Sequence, residues 1–179
     1  MRGLSIVLMA QEEAKAQLRL VTQDGVKVLA DVRLADMSAL IKNITDDSGV
    51  TEEIPLPSVS APILNKLLEY CERQSYVQPQ PIKKPLASDR IEEAVTEPWH
   101  AEFINGMTEE LLVDLTMAAN YMDSKGIFDL CCAKIATLFK GKTVEELKQR
   151  YNITEDLTPE IEEKILKENP WITSDSATA

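Results

Sequence analysis

Asp24-Gly25 separates two apolar, β-branched runs, LRLVT at 18–22 and VKVLADV at 26–32. Both alternate in part between apolar and polar residues, the two-residue period of a strand with one buried face. Glycine after aspartate supplies the positive φ that a tight hairpin turn needs. The chain therefore opens on a β-hairpin, and from residue 34 onward the apolar period shifts to three and four. Over LADMSALIKNIT (34–45), Leu40, Ile41 and Ile44 carry helical spacing, and DDSG breaks it. EEIPLP at 52–57 is too short and too proline-bound for a central strand and suits an edge. Ser60 caps the helix APILNKLLEYCERQ, in which Ile63, Leu64, Leu67, Leu68 and Cys71 form one apolar stripe.

Residues 76–98 change character. Pro79, Pro81, Pro85 and Pro98 interrupt a stretch with little apolar periodicity, which predicts a mobile loop or short linker between a mixed α/β half and an all-helical half. Beyond it, WHAEFI is a short helix. Thr108 caps EELLVDLTMAANYM, with Glu109 and Glu110 at the positive end of its dipole. Asp123 caps SKGIFDLCCAKIATLF, which stops at Gly141. Thr143 and Glu146 form a capping box for VEELKQRY, and Thr158-Pro159 opens EIEEKILKEN.

Apolar residues are in surplus on two of these helices. Over 127–139 they include Ile127, Phe128, Leu130, Cys131, Cys132, Ile135, Leu138 and Phe139, and over 111–122 Leu111, Leu112, Val113, Leu115, Met117 and Met122. That covers more than the roughly 100° a surface helix needs for its own core. With only two further short, charged helices to cover them, a face kept for a partner is favoured over a helix buried all round.

Composition narrows the partner. A net charge of −11 and a pI near 4.6 argue against nucleic acid, whose phosphates need a basic surface. Three cysteines, Cys71, Cys131 and Cys132, make no disulfide framework and fit a reducing compartment. Arg2 followed by LSIVLMA has the outline of a signal peptide, but the apolar run is short and leads straight into QEE, so residues 1–16 are read as a flexible extension. No other stretch reaches membrane-spanning length. Zinc would need ligands that this sequence does not space suitably, His100 being the lone histidine. That histidine has no serine or cysteine nucleophile close by. KGKT at 140–143 lacks the first glycine of a phosphate-binding loop and follows a helix rather than a strand. An enzyme is therefore not expected, and neither is a cofactor or metal.

The stretches DGVKVLADV, IPLPSVSAPILNKLLEYC, LTMAANYMDSKGIFDLCCAKIATLFKGKTVEELKQRYNI and ENPW, in colinear order over about 17–172, resemble the SKP family. These are the S-phase kinase-associated adaptors of SCF-type ubiquitin ligases. Elongin C shares the N-terminal fold but lacks the helices after GK. The resemblance implies an α+β fold: a BTB/POZ-type domain at 17–140, with the loop at about 76–98, then F-box-binding helices at 141–172 and a flexible tail at 173–179. It implies a non-catalytic adaptor in the ubiquitin conjugation pathway, cytoplasmic and nuclear, that joins F-box proteins to a cullin N-terminal domain. A cullin-independent scaffold for F-box proteins is the alternative.

On the family pattern Asn120 and Tyr121 face the cullin, while Leu112, Phe128, Cys132, Ile135, Phe139, Leu147, Tyr151, Ile153 and Trp171 meet the F-box. Read without the resemblance, Asn120 would be a left-handed cap residue and Tyr121 a half-buried packing residue. Three departures stand out: Val144 replaces a common proline, Phe139 a smaller aliphatic, and Lys83 and Lys84 sit in a loop that is usually strongly acidic. The uncovered apolar surface also predicts a weak homodimer of the free chain, strengthened by salt.

Overall fold

The computed structural model describes residues 17–49, 52–154 and 157–170. The N-terminal extension, the C-terminal tail and Trp171 lie outside the described residues. Contacts divide the chain into two compact units, Met1–Lys140 and Gly141–Ala179.

The first unit is built on a three-stranded sheet. Strands β1 (Gln17–Thr22) and β2 (Lys27–Asp31) form the antiparallel hairpin, and β3 (Glu53–Leu56) pairs parallel with β1, giving the order β2-β1-β3. Gly25 takes φ +75° in the turn, the conformation that only glycine adopts without strain. Pro55 sits on β3 at the sheet edge, where its missing N–H leaves no central ladder broken. Leu18, Leu20, Ile54 and Leu56 point to one face and are at most 2% exposed. Burying each contributes about 1.5–3 kcal/mol.

Asp24 also serves the following helix. α2 (Ala61–Arg73) has Ser60 at its N-cap, but the Ser60 hydroxyl makes no capping bond. The Asp24 carboxylate accepts from Ala61 N–H at 3.1 Å instead, and Thr22 Oγ1 donates to the same oxygen. The Thr22 hydrogen bond is the main reason the Asp24 carboxyl titrates below its ordinary value. All five residues of the α2 stripe are buried, together with Tyr70.

Two caps differ from the sequence expectation. The helix expected from residue 34 starts later: Val32–Asp36 is a 3-10 turn capped by Asp31, and α1 runs over Ala39–Ser48. Ser38 breaks the two apart because its hydroxyl accepts from Ile41 N–H, which requires an extended backbone at Ser38. Asp123 does not cap α5 (Lys125–Phe139). Ser124 holds that position, and Asp123 adopts φ +48°, which is incompatible with the extended N-cap geometry.

The proline-rich stretch at 76–98 is irregular but anchored, and it does not divide two halves. Gln78 donates to the Asp36 carbonyl at 2.8 Å, Lys84 pairs with Asp129 at 2.9 Å, and Ile91 is buried in a 3-10 turn. The Pro79 ring lies so close to Gly126 that a Cβ there would sit 2.6 Å from it. One core joins the sheet to α3 (Pro98–Asn105), α4 (Glu109–Tyr121) and α5, with Ile104, Leu115 and Leu130 in the same cluster as Leu20 and Leu67.

The second unit holds α6 (Val144–Arg150) and α7 (Pro159–Glu168). Thr143 and Glu146 form the full capping box, and Thr158 caps α7 by accepting from Ile161 N–H. α6 ends with Asn152 at φ +51°: Ile153 N–H donates to Lys148 O at 2.9 Å and Asn152 N–H to Gln149 O at 3.4 Å. This paired pattern satisfies the last carbonyls of the helix.

Candidate partner-binding site

α4 begins at Thr108, whose hydroxyl accepts from Leu111 N–H, with Glu109 and Glu110 in the first turn. One face of the helix, Leu112, Leu115, Ala118, Ala119 and then Met122, is buried. Leu112 was expected to meet the F-box, but it is 3% exposed. It shares a face with Leu115, Ala119 and Met122 at helical spacing, so its side chain is core and offers nothing to a partner. The opposite stripe carries Val113 and Met117, 51% and 65% exposed, and then Asn120. The sequence pattern does not single out Val113 and Met117 from the other apolar residues of α4; their i, i+4 spacing with Asn120 at i+7 is the signal that marks them.

The end of α4 is fixed from the side. The Ser38 hydroxyl donates to the Met122 carbonyl, Leu40 N–H to the same carbonyl at 3.4 Å, and Ala39 N–H to the Asp123 carbonyl at 3.2 Å. The free amides at the start of α1 thus meet the free carbonyls beyond the end of α4, each meeting the other's unsatisfied groups. Asp123, not Asn120, takes the left-handed conformation, so cap geometry does not account for the amide at 120. Asn120 is exposed within the helix, and Tyr121 is half-buried with its ring packed on the core. A rigid ring with one polar tip, beside an exposed amide on a braced turn, suits recognition.

α5 shows two stripes. Ile127, Leu130, Cys131, Ala133 and Thr137 are buried. Phe128, Cys132 and Ile135 are half-buried, and Phe139 is 44% exposed; the spacing of four, three and four aligns them along one flank. Burial pushes the Cys71 and Cys131 thiols up to about 12, and it also raises Cys132, with Asp129 adding to the effect. Such thiols are packing groups rather than nucleophiles.

In the second unit, Leu147 is half-buried, while Tyr151 and Ile153 are 37% and 51% exposed. Neither α6 nor α7 has a buried residue. Val144, Leu157, Ile161 and Leu166 add to the apolar surface beyond the expected residues, and the spacing of Ile161, Ile165 and Leu166 marks one face of α7. Short helices with apolar faces and no core of their own depend on packing for stability.

Among the described residues no cluster of histidine, cysteine or carboxylate side chains could hold a metal ion, and no helix is long and apolar enough to cross a membrane. His100 Nε2 is 2.8 Å from the Gln74 amide oxygen, and burial lowers the histidine's pKa. Gly141 adopts φ +74° in the KGKT turn between α5 and α6.

Two family models match this chain. One, described as the Skp1 family tetramerisation domain, covers residues 16–75, and the other, the Skp1 family dimerisation domain, covers 125–172. The chain belongs to the Skp1 family. It is 40% identical over 160 residues to the S-phase kinase-associated protein 1 homolog of Tetrahymena thermophila, covering 89% of this chain and 96% of that protein. It is 36% identical over 159 residues to the E3 ubiquitin ligase complex SCF subunit sconC of Arthroderma benhamiae, covering 88% and 96%. With the suppressor of kinetochore protein 1 of Schizosaccharomyces pombe it shares 34% identity over 165 residues, covering 87% and 97%. The α+β architecture, a small sheet with helices and a helical C-terminal region, is that of a Skp1 POZ domain with its extension.

Proposed function

We propose that this chain is an adaptor subunit of an SCF-type ubiquitin ligase. It binds F-box substrate receptors through its C-terminal helices and bridges them to a cullin through the braced end of α4. It acts by binding alone: its thiols are buried or raised, and its one histidine is engaged with Gln74.

The observation that carries the reading is the distribution of uncovered apolar side chains. Phe139, Val144, Tyr151, Ile153, Leu157, Ile161 and Leu166 are all exposed, seven of the twelve exposed large hydrophobics among the described residues, and all fall at or after the end of α5. That is the stretch assigned to the F-box, and it is distinct in sequence from the Asn120–Tyr121 turn assigned to the cullin. Relatives named as a Skp1 homolog and as an SCF subunit support the assignment.

Co-precipitation of the double variant Asn120→Lys, Tyr121→Lys with a cullin N-terminal domain and with an F-box protein tests the division. Introducing lysines into a desolvated contact should abolish cullin capture and leave the F-box protein bound. Retention of the cullin would overturn the assignment.

A further inference from the structure

The sheet has two edges, and they are not alike. β3 is four residues long, carries Pro55 and exposes Glu53, features that blunt an edge against further pairing. β2 has no proline, and among the described residues no segment pairs with its outer side. Thr22 N–H donates to Val26 O at 3.0 Å where the hairpin closes. From there the alternation of an antiparallel ladder turns the backbone groups of Val28 and Ala30 toward β1, and those of Lys27 and Leu29 away from it. Leu29 is also 61% exposed. An unpaired strand edge with an apolar residue on it is a template for another strand.

A groove of about 400 Å³ lies along this edge, lined by Leu29 and Ala30 of β2 and by Leu68 and Tyr76 in and after α2. Its polar lining is engaged or faces solvent: Arg33 pairs with Asp31 at 2.7 Å and lies over the Tyr76 ring at 4.4 Å, and Glu72 and Ser75 are exposed. Gln17 lines the same groove, and there the chain enters the sheet, opposite Asp31. Sixteen residues precede Gln17, and LSIVLMA at 4–10 is an apolar run among them, with β-branched Ile6 and Val7.

We propose that residues 4–10 of this chain dock on the free edge of β2 as a fourth strand, in place of the flexible extension expected from the sequence. The reach is sufficient. Residues 11–16 span up to about 20 Å when extended, and the position beyond β2 lies two strand spacings, about 10 Å, from β1. A segment that returns to Gln17 in this way runs parallel to β2 and antiparallel to β1. It is long enough to cover the five residues of β2. The two-residue period of a strand sets its register. Leu4, Ile6 and Leu8 share one face and fill the groove beside Leu68 and Tyr76, while Ser5, Val7 and Met9 fall on the outer face with Leu29. The arrangement satisfies the outward groups of Lys27 and Leu29 and covers two apolar surfaces at once. Being tethered, the segment reaches the edge ahead of a second copy at ordinary concentrations.

Amide hydrogen exchange of the full chain, read residue by residue by NMR, tests this. The Lys27 and Leu29 amides should exchange at least about tenfold more slowly in the wild type than in the double variant Ile6→Asp, Leu8→Asp. The amides of Val28 and Ala30, bonded to β1, should be unchanged and show that the sheet is intact. Both substitutions lie before β1, so the folded domain is preserved. Ser5→Asp, on the outer face, should keep the protection. Equal exchange at Leu29 in wild type and double variant would overturn the proposal, as would loss of protection in Ser5→Asp. Protection that rises with protein concentration would also overturn it and place a second copy on the edge instead.

Discussion

The Ser38 hydroxyl donates a hydrogen bond to the carbonyl oxygen of Met122, 84 residues further along the chain. The same oxygen atom of Ser38 accepts from Ile41 N–H at 3.2 Å, so one side chain both starts α1 and closes the end of α4. Ser38→Ala should cost about 1–3 kcal/mol, combining a lost N-cap with a buried carbonyl left short of a donor. A chemical denaturation curve gives the figure. Because the turn also carries Asn120 and Tyr121, cullin affinity should fall with it while F-box affinity holds.

Gly126 should not tolerate even alanine. Alanine is ordinarily the better helix residue, but its Cβ would lie 2.6 and 2.7 Å from the Cδ and Cγ atoms of Pro79. A proline ring cannot swing aside without its backbone, so overpacking should cost about 1–3 kcal/mol. Thermal melts of Gly126→Ala and of the double variant with Pro79→Ala check this: the second change should return most of the loss.

On the proposed function, the flank of α5 should serve both F-box binding and self-association. Ile135 is half-buried in line with Phe128, Cys132 and Phe139. The free chain should form a weak two-fold dimer that strengthens with salt, since a net charge of −11 opposes association and salt screens it. Ile135→Glu should yield a monomer and also lose the F-box protein. Sedimentation across a concentration and salt series reads the first effect, and a pull-down the second. A strict monomer at high salt would mean that the flank is ordinary core.

His100 makes stability depend on pH in a defined window. Burial lowers its native pKa below 6.5, its ordinary value. The unfolded chain therefore binds the proton first, and stability present above that value is lost as pH falls through it toward the native pKa. Melting temperatures measured between about pH 7.5 and about pH 5 should fall more steeply for the wild type than for His100→Gln.

Much of this molecule is legible from local pattern. The hairpin at Asp24-Gly25, the edge strand with Pro55, and the caps at Thr108, Thr143 and Thr158 all depend on groups within a few residues of one another, and each appears where spacing and turn chemistry put it. The surplus of apolar residues on α5 was also readable, while the cullin-facing role proposed for Asn120 and Tyr121 rests on family resemblance. What only the tertiary structure decided involves partners distant in sequence. Whether Leu112 or Val113 faces out depends on which side of α4 meets the core, since both are apolar and adjacent. The α1 boundary at Ser38 and the left-handed turn at Asp123 reflect two helix ends satisfying each other's backbone groups across 84 residues. The anchoring of the proline-rich stretch to Gly126 and Asp129 follows the same rule: proline dictates where helix and strand must stop, but only the surface it lands on determines where the chain then lies.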